Sequence, residues 1–146
     1  MRTLGFALLL TLLCGPLAAA VSYVAGSAPP ASSSGVNSLT IMAPAGIATG
    51  DVMVAFLTAN VGSQPNINSA PAGWTQQLEK NDGASLGVVV YYRVATSADA
   101  GGTTTYTWGF SNPARGAGAI LAFRGVVTTT PIVASAAGRI RRSRRA

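Results

Sequence analysis

The chain has 146 residues, enough for one domain, and only 10% of them are charged, against the roughly 25% usual in soluble domains. Its formal net charge of +6 lies at the ends, in Arg2 and five arginines after residue 138, so the nearly neutral body is not expected to bind nucleic acid. With no His and a single Cys, the sequence excludes imidazole-based triads and an intrachain disulfide.

Residues 1–20 are predicted to be a secretory signal peptide, in which Met1 to about Leu13 forms a helix apart from the domain. Arg2 precedes the apolar run Leu4–Leu13, which is too short to cross a bilayer as a helix, and three alanines end at Ala20. Cleavage there would leave Val21 first, with no membrane span and a secreted or cell-surface location. Two alternatives anchor the chain in a membrane, through an uncleaved signal or through lipid on Cys14.

Residues 21–135 are predicted to form one all-β domain built around the stretch Gly50–Asn60, which is apolar at both alternating sets of positions. Asn112-Pro113 predicts a turn. Further strands are predicted at Val21–Ser27, Ser38–Met42, Trp74–Lys80, Leu86–Ala95, Thr103–Phe110 and Ala117–Val126, with one more beginning in 131–134. Short strands at this spacing are typical of an antiparallel β-sandwich of jelly-roll or immunoglobulin-like type.

The core of the predicted sandwich should hold one of the two alternating sets from each strand. We expect the buried set to be Val54, Phe56, Val88, Val90, Tyr106, Trp108, Leu121 and Phe123.

Five stretches carry a resemblance to a known group of domains. They are Gly50-Asp51, Pro71–Thr75, Val90–Ala95, Tyr106–Trp108 and Leu121–Val126. Over Val21 to Ala134 the chain resembles exported bacterial and phage-associated β-sandwich domains, which recur in large surface and tail-fibre-like proteins. The resemblance rests on core and turn residues, so it implies a fold and no catalytic residues.

In that group the strand pattern continues beyond Pro131-Ile132, whereas here the sequence turns Arg-rich, as if truncated. We therefore expect a sandwich that lacks a strand. Its open edge would pair with a partner strand or lead to self-association.

These patterns favour a non-catalytic structural or adhesive module of a bacterial or virion surface protein, with no cofactor or metal. The first alternative is a carbohydrate-binding module that uses Trp74, Tyr91 and Gln76, since β-sandwich modules often bind sugars with aromatic and amide side chains. Its partner would be a glycan, whereas an adhesive module would bind a surface protein. Asp51 is expected to accept hydrogen bonds from nearby backbone groups.

The second alternative is polyanion binding by residues 136–146, which are predicted to form a disordered basic tail. No aromatic residue interrupts this tail, so it offers no base stacking. The candidate residues are Arg139, Arg141, Arg142, Arg144 and Arg145.

Overall fold

The computed structural model describes residues 20–32, 34–60, 67–82 and 86–136, so the predicted signal helix and basic tail lie outside the described residues. Within these ranges the chain is all-β, which confirms the predicted class, and contains no helix that could cross a membrane. Its seven strands are β1 (Ser22–Ser27), β2 (Val36–Met42), β3 (Val52–Asn60), β4 (Ile67–Ser69), β5 (Thr75–Asp82), β6 (Leu86–Val94) and β7 (Thr105–Arg124).

The long strand β7 joins all the other strands into one antiparallel sheet. Its C-terminal half pairs with β1 and β3, and the order β1-β7-β3-β6-β5 continues from there. Its N-terminal half pairs with β2 and β4. A single strand therefore belongs to two groups of ladders.

The predicted turn at Asn112-Pro113 is wrong, because β7 runs through it without a break. Asn112 and Pro113 nevertheless lie where β7 passes from pairing with β2 and β4 to pairing with β3. Ala114 lies opposite Val36, whereas Gly109 lies opposite Ser38, so the ladder with β2 shifts across this segment. Proline has no backbone N–H to donate, and such an irregular site tolerates that loss.

The strand predicted as the centre of the chain is confirmed as β3, which is paired along its length with β6 on one side and β7 on the other. Its alternation separates two faces. Met53, Ala55 and Leu57 are fully buried on the inner face, towards β2. Val54 and Phe56 belong to the outer face.

The predicted core set is wrong for six of its eight members, because it named the outer face. Phe56 is 43% exposed, and Val54, Val88, Val90, Leu121 and Phe123 are half-buried. Only Tyr106 and Trp108 lie in the core. Both alternating sets are apolar, so alternation alone did not decide which face is covered. The largest core side chains are Leu39, Ile41, Ile47, Met53, Leu57, Trp74, Val89, Tyr91, Tyr106, Trp108, Phe110 and Ile120.

Glycines with a positive φ lie in the turn before β5 and directly after β7. Gly73 has φ +79° in the turn that Trp74 closes by donating its N–H to the Pro71 carbonyl. Gly125 has φ +82° and ends β7, and no strand follows at 131–134, so the last predicted strand is wrong. This final segment instead comes close to β5, where Gln77 Nε2 donates to Ser135 Oγ at 2.9 Å.

Candidate functional site

The three residues predicted to bind a glycan do lie together, at the inner face of β5 and β6. Tyr91 and Gln76 are opposite each other in the ladder, and the Tyr91 hydroxyl donates to Gln76 Oε1 at 3.2 Å. Gln76 Nε2 in turn donates to Glu79 Oε2 at 3.1 Å. Burial raises the pKa of the Tyr91 phenol, and the nearby Glu79 carboxylate raises it further.

The aromatic rings of this group point into the core. Trp74 is 8% exposed and Tyr91 is 4% exposed. Trp74 meets Tyr106 edge-to-face at 5.0 Å between centroids and Trp108 at 5.3 Å, and Tyr91 lies 6.1 Å from Trp108. Such pairs stabilise the core beyond the area they bury. These rings therefore present no open platform on which a sugar could stack, and Gln76 is the exposed member of the set.

Both indole nitrogens, Nε1 of Trp74 and Nε1 of Trp108, are buried without a hydrogen-bond acceptor among the described residues. An unpaired buried donor is costly, unless it points at an aromatic ring face, which is a weak acceptor. Each of the two indoles packs against the other and against the ring of Tyr106. The cluster is thus stabilised mainly by packing.

Asp99 accepts hydrogen bonds from three side chains and one backbone N–H, is 1% exposed and lies in the loop between β6 and β7. Arg93 of β6 forms an ion pair with it, with Nη2 3.0 Å from Oδ2 and Nε 3.2 Å from the same oxygen. The Tyr106 hydroxyl donates to Oδ1 at 2.6 Å. Thr96 donates to Oδ2 through its backbone N–H at 2.7 Å and its hydroxyl at 2.8 Å.

Burial disfavours the charged form of Asp99 and is the largest single influence on its pKa. The combined hydrogen bonds from Tyr106, Thr96 and Arg93 outweigh burial and lower the pKa of Asp99 to about 2. Burial and the hydrogen bond to Asp99 raise the pKa of the Tyr106 phenol. At neutral pH Asp99 is therefore a carboxylate and Tyr106 a neutral phenol.

Arg93 also ties this loop to the turn before β5. Its Nη1 donates to the Ala72 carbonyl at 2.5 Å, and its guanidinium lies 5.6 Å from the centre of the Tyr106 ring. A side chain at Gly73 would displace the guanidinium of Arg93, and the φ of +79° is one that residues other than glycine rarely adopt.

A second buried acid, Asp51, forms a similar pair beside the start of β3. Arg124 donates to both of its oxygens, at 2.9 and 2.7 Å, and the Ala48 N–H donates to Oδ2 at 2.8 Å. The hydrogen bond from Arg124 lowers the pKa of Asp51. The predicted role of Asp51 as an acceptor for nearby backbone donors is confirmed.

The two acids share one local design. Asp51 donates its N–H to the Ala48 carbonyl and accepts the Ala48 N–H, and Asp99 does the same with Thr96. The two loops meet, because Ala95 donates to the Asp51 carbonyl at 2.8 Å. Sequence reasoning missed Asp99, although it stands three residues after Thr96, the same spacing as Asp51 from Ala48.

This arrangement is suited to holding loops and offers little to a substrate. General acid or base chemistry needs a titratable group within reach of a bound molecule, and these carboxylates are buried and fully engaged. Among the described residues no three His, Cys, Asp or Glu side chains lie close enough to hold a metal ion. The candidate polyanion site, from Arg139 to Arg145, lies outside the described residues.

Fold and site together define a small antiparallel β domain in which two buried aspartates each pair with an arginine at one end of the sheet. In comparisons with protein-family models, curated proteins and solved structures, no match to the chain was found.

Proposed function

We propose that the chain is a non-catalytic structural or adhesive module of an exported bacterial or virion surface protein. The observation that carries the proposal is that both buried aspartates bind groups of the protein itself. Asp51 and Asp99 each bind an arginine and a backbone N–H of their own loop. Both carboxylates therefore serve to hold loops in place, and a structural or adhesive module needs loops that keep their shape.

The proposal includes a β-sandwich in which β2 and the first half of β7 cover the inner face of β3 and β6. Gly118 of β7 supports this arrangement. A Cβ atom at that position would lie 2.8 Å from a Leu57 methyl, 2.9 Å from a Leu39 methyl and 3.0 Å from an Ile41 methyl. Side chains of β2 and β3 thus converge on one point from different ladders, as the two layers of a sandwich do.

Export would come from residues 1–20 acting as a cleaved signal peptide. The alternatives, an uncleaved anchor or lipid on Cys14, would leave the same domain attached to a membrane. In each case the domain is presented outside the cytoplasm, where a module without disulfides must rely on its packed core.

Carbohydrate binding is the main rival role, and a glycan array separates it from the proposal. The array is probed with the chain as single molecules and with the chain clustered on beads. A structural or adhesive module gives no signal as single molecules, and any retention appears only after clustering, through multivalency.

Binding of one glycan class by single molecules would contradict the proposal. If Gln76→Ala then abolished that binding, the carbohydrate alternative would replace it, because Gln76 is the exposed member of the candidate set. Thr75→Ala, at the exposed neighbouring position, is the matched control.

A further inference from the structure

The outer face of the β1-β7-β3-β6-β5 sheet is apolar and only partly covered. We define it by the side chains that alternate away from the core. Phe56 and Tyr23 are exposed, while the inner-face neighbours of Phe56, Ala55 and Leu57, are fully buried. The partly exposed apolar side chains of the outer face are Tyr23, Val54, Phe56, Leu78, Val88, Val90, Tyr92, Ala119, Leu121 and Phe123.

The strand registers place these side chains in continuous rows. Phe56 stands between Ala119 of β7 and Val90 of β6. In the adjacent row Val54 stands between Leu121 and Tyr92. Large and small side chains thus alternate across the middle of the face. A surface of such protrusions and gaps lets the side chains of two faces interdigitate.

Among the described residues, the charged side chains of this face lie at its margin, where Arg115 of β7 stands opposite Asn60 at the end of β3. Lys80 of β5 is the charged side chain in the row that contains Val88 and Thr58. It lies on the strand at the edge of the sheet, where its long stem can keep the ammonium in water. A partner could therefore cover the middle of the face without burying an ion.

The face is large enough for a specific interface. Five strands about 4.8 Å apart and seven residues of about 3.4 Å along β3 give roughly 24 by 24 Å. Two such faces would bury roughly 1,100 Å² in total, which just passes the roughly 1,000 Å² expected of a biological interface. Monomeric proteins seldom expose a larger apolar patch.

We propose that two copies of this chain pack face to face through the outer face. A second copy fits because the surface is uncharged in its middle and self-complementary, with Phe56 of one copy opposite the small Ala119 of the other. Two-fold pairing of this kind is the commonest form of oligomer. The dimer goes beyond the proposed function and does not depend on it.

Sedimentation velocity of the whole chain over a wide concentration range tests the proposal. We expect a monomer–dimer equilibrium in the unmodified protein. Phe56→Lys should raise the dimer dissociation constant by at least about thirtyfold, as the loss of a central aromatic does in other interfaces. Met42→Lys is the matched control, since Met42 is an exposed apolar residue on β2, at 54% exposure against 43% for Phe56, and lies off this face.

Circular dichroism must show that each variant is folded. Should Phe56→Lys not fold, Val90→Thr supplies the second test, because it keeps the shape and strand preference of valine and should also weaken the dimer. A monomer at every concentration would overturn the proposal, including the case in which another segment of the chain covers the face. A dimer that both outer-face variants leave intact would overturn it equally.

Discussion

Asp99→Asn tests whether the buried ion pair holds the domain together. In the folded protein the two carboxylate oxygens accept hydrogen bonds from Arg93, Thr96 and Tyr106. An amide places an NH₂ group against one set of these donors and leaves the guanidinium of Arg93 without its counterion. Breaking a buried pair in this way costs about 3–5 kcal/mol. That is a large share of the roughly 5–15 kcal/mol of total stability expected for a domain.

The same substitution should change the pH dependence of stability. Because the pKa of Asp99 falls from 3.8 to about 2 on folding, its ionisation stabilises the fold above pH 3.8. That contribution, about 2 kcal/mol, is lost as the pH falls through about 2. In Asp99→Asn this part of the acid sensitivity should disappear.

Urea unfolding followed by circular dichroism, at neutral pH and at several acidic values, measures both effects. Glu79→Gln is the control, since it also removes one negative charge but from an exposed position on β5. Its expected cost is below about 1 kcal/mol. A loss below about 1 kcal/mol for Asp99→Asn, or an acid dependence equal to that of the unmodified protein, would refute the reasoning.

Three further outcomes test the fold and the tail. Val89→Ala, on the inner face at 1% exposure, should cost about 2 kcal/mol, whereas Val90→Ala on the outer face should cost about half of that or less, as measured by urea unfolding of the monomer. Equal costs would show that the faces are wrongly assigned. Gly118→Ala should lower the free energy of unfolding by about 1–3 kcal/mol, because the added methyl meets three core side chains. An unchanged free energy of unfolding would argue against the close approach of β2 side chains to the C-terminal half of β7. Removing residues 138–146 should lower the salt concentration at which the chain elutes from heparin, and unchanged elution would rule out polyanion binding by the tail.

The sequence predicted six of the strand positions but missed β4, the continuity of β7 through Asn112-Pro113 and the lack of a strand at 131–134. It did not predict which side each strand buries. Strand β3 carries its own signals, namely a run of apolar residues opened by Gly50-Asp51. Its two sets of side chains are equally apolar, so the choice depends on where β2 lies. That position is set by pairing between β2 and β7, which are more than sixty residues apart.

The same limit applies to the candidate site. One contact of Asp99 is local in the sequence, because its carboxylate accepts the backbone N–H of Thr96, three residues earlier. Its other partners, Arg93 and Tyr106, come from two strands that only folding brings together. Trp74 was a reasonable sugar-binding candidate from composition, and its burial follows from its contacts with Tyr106 and Trp108.

Recovery of the chain from the cells that encode it, with mass spectrometry of its N terminus, tests the central claim of an exported surface module most directly. The account predicts that the chain is found in the cell-surface, virion or secreted fraction and begins at Val21. A chain that begins at Met1 and remains in the cytoplasm would contradict it.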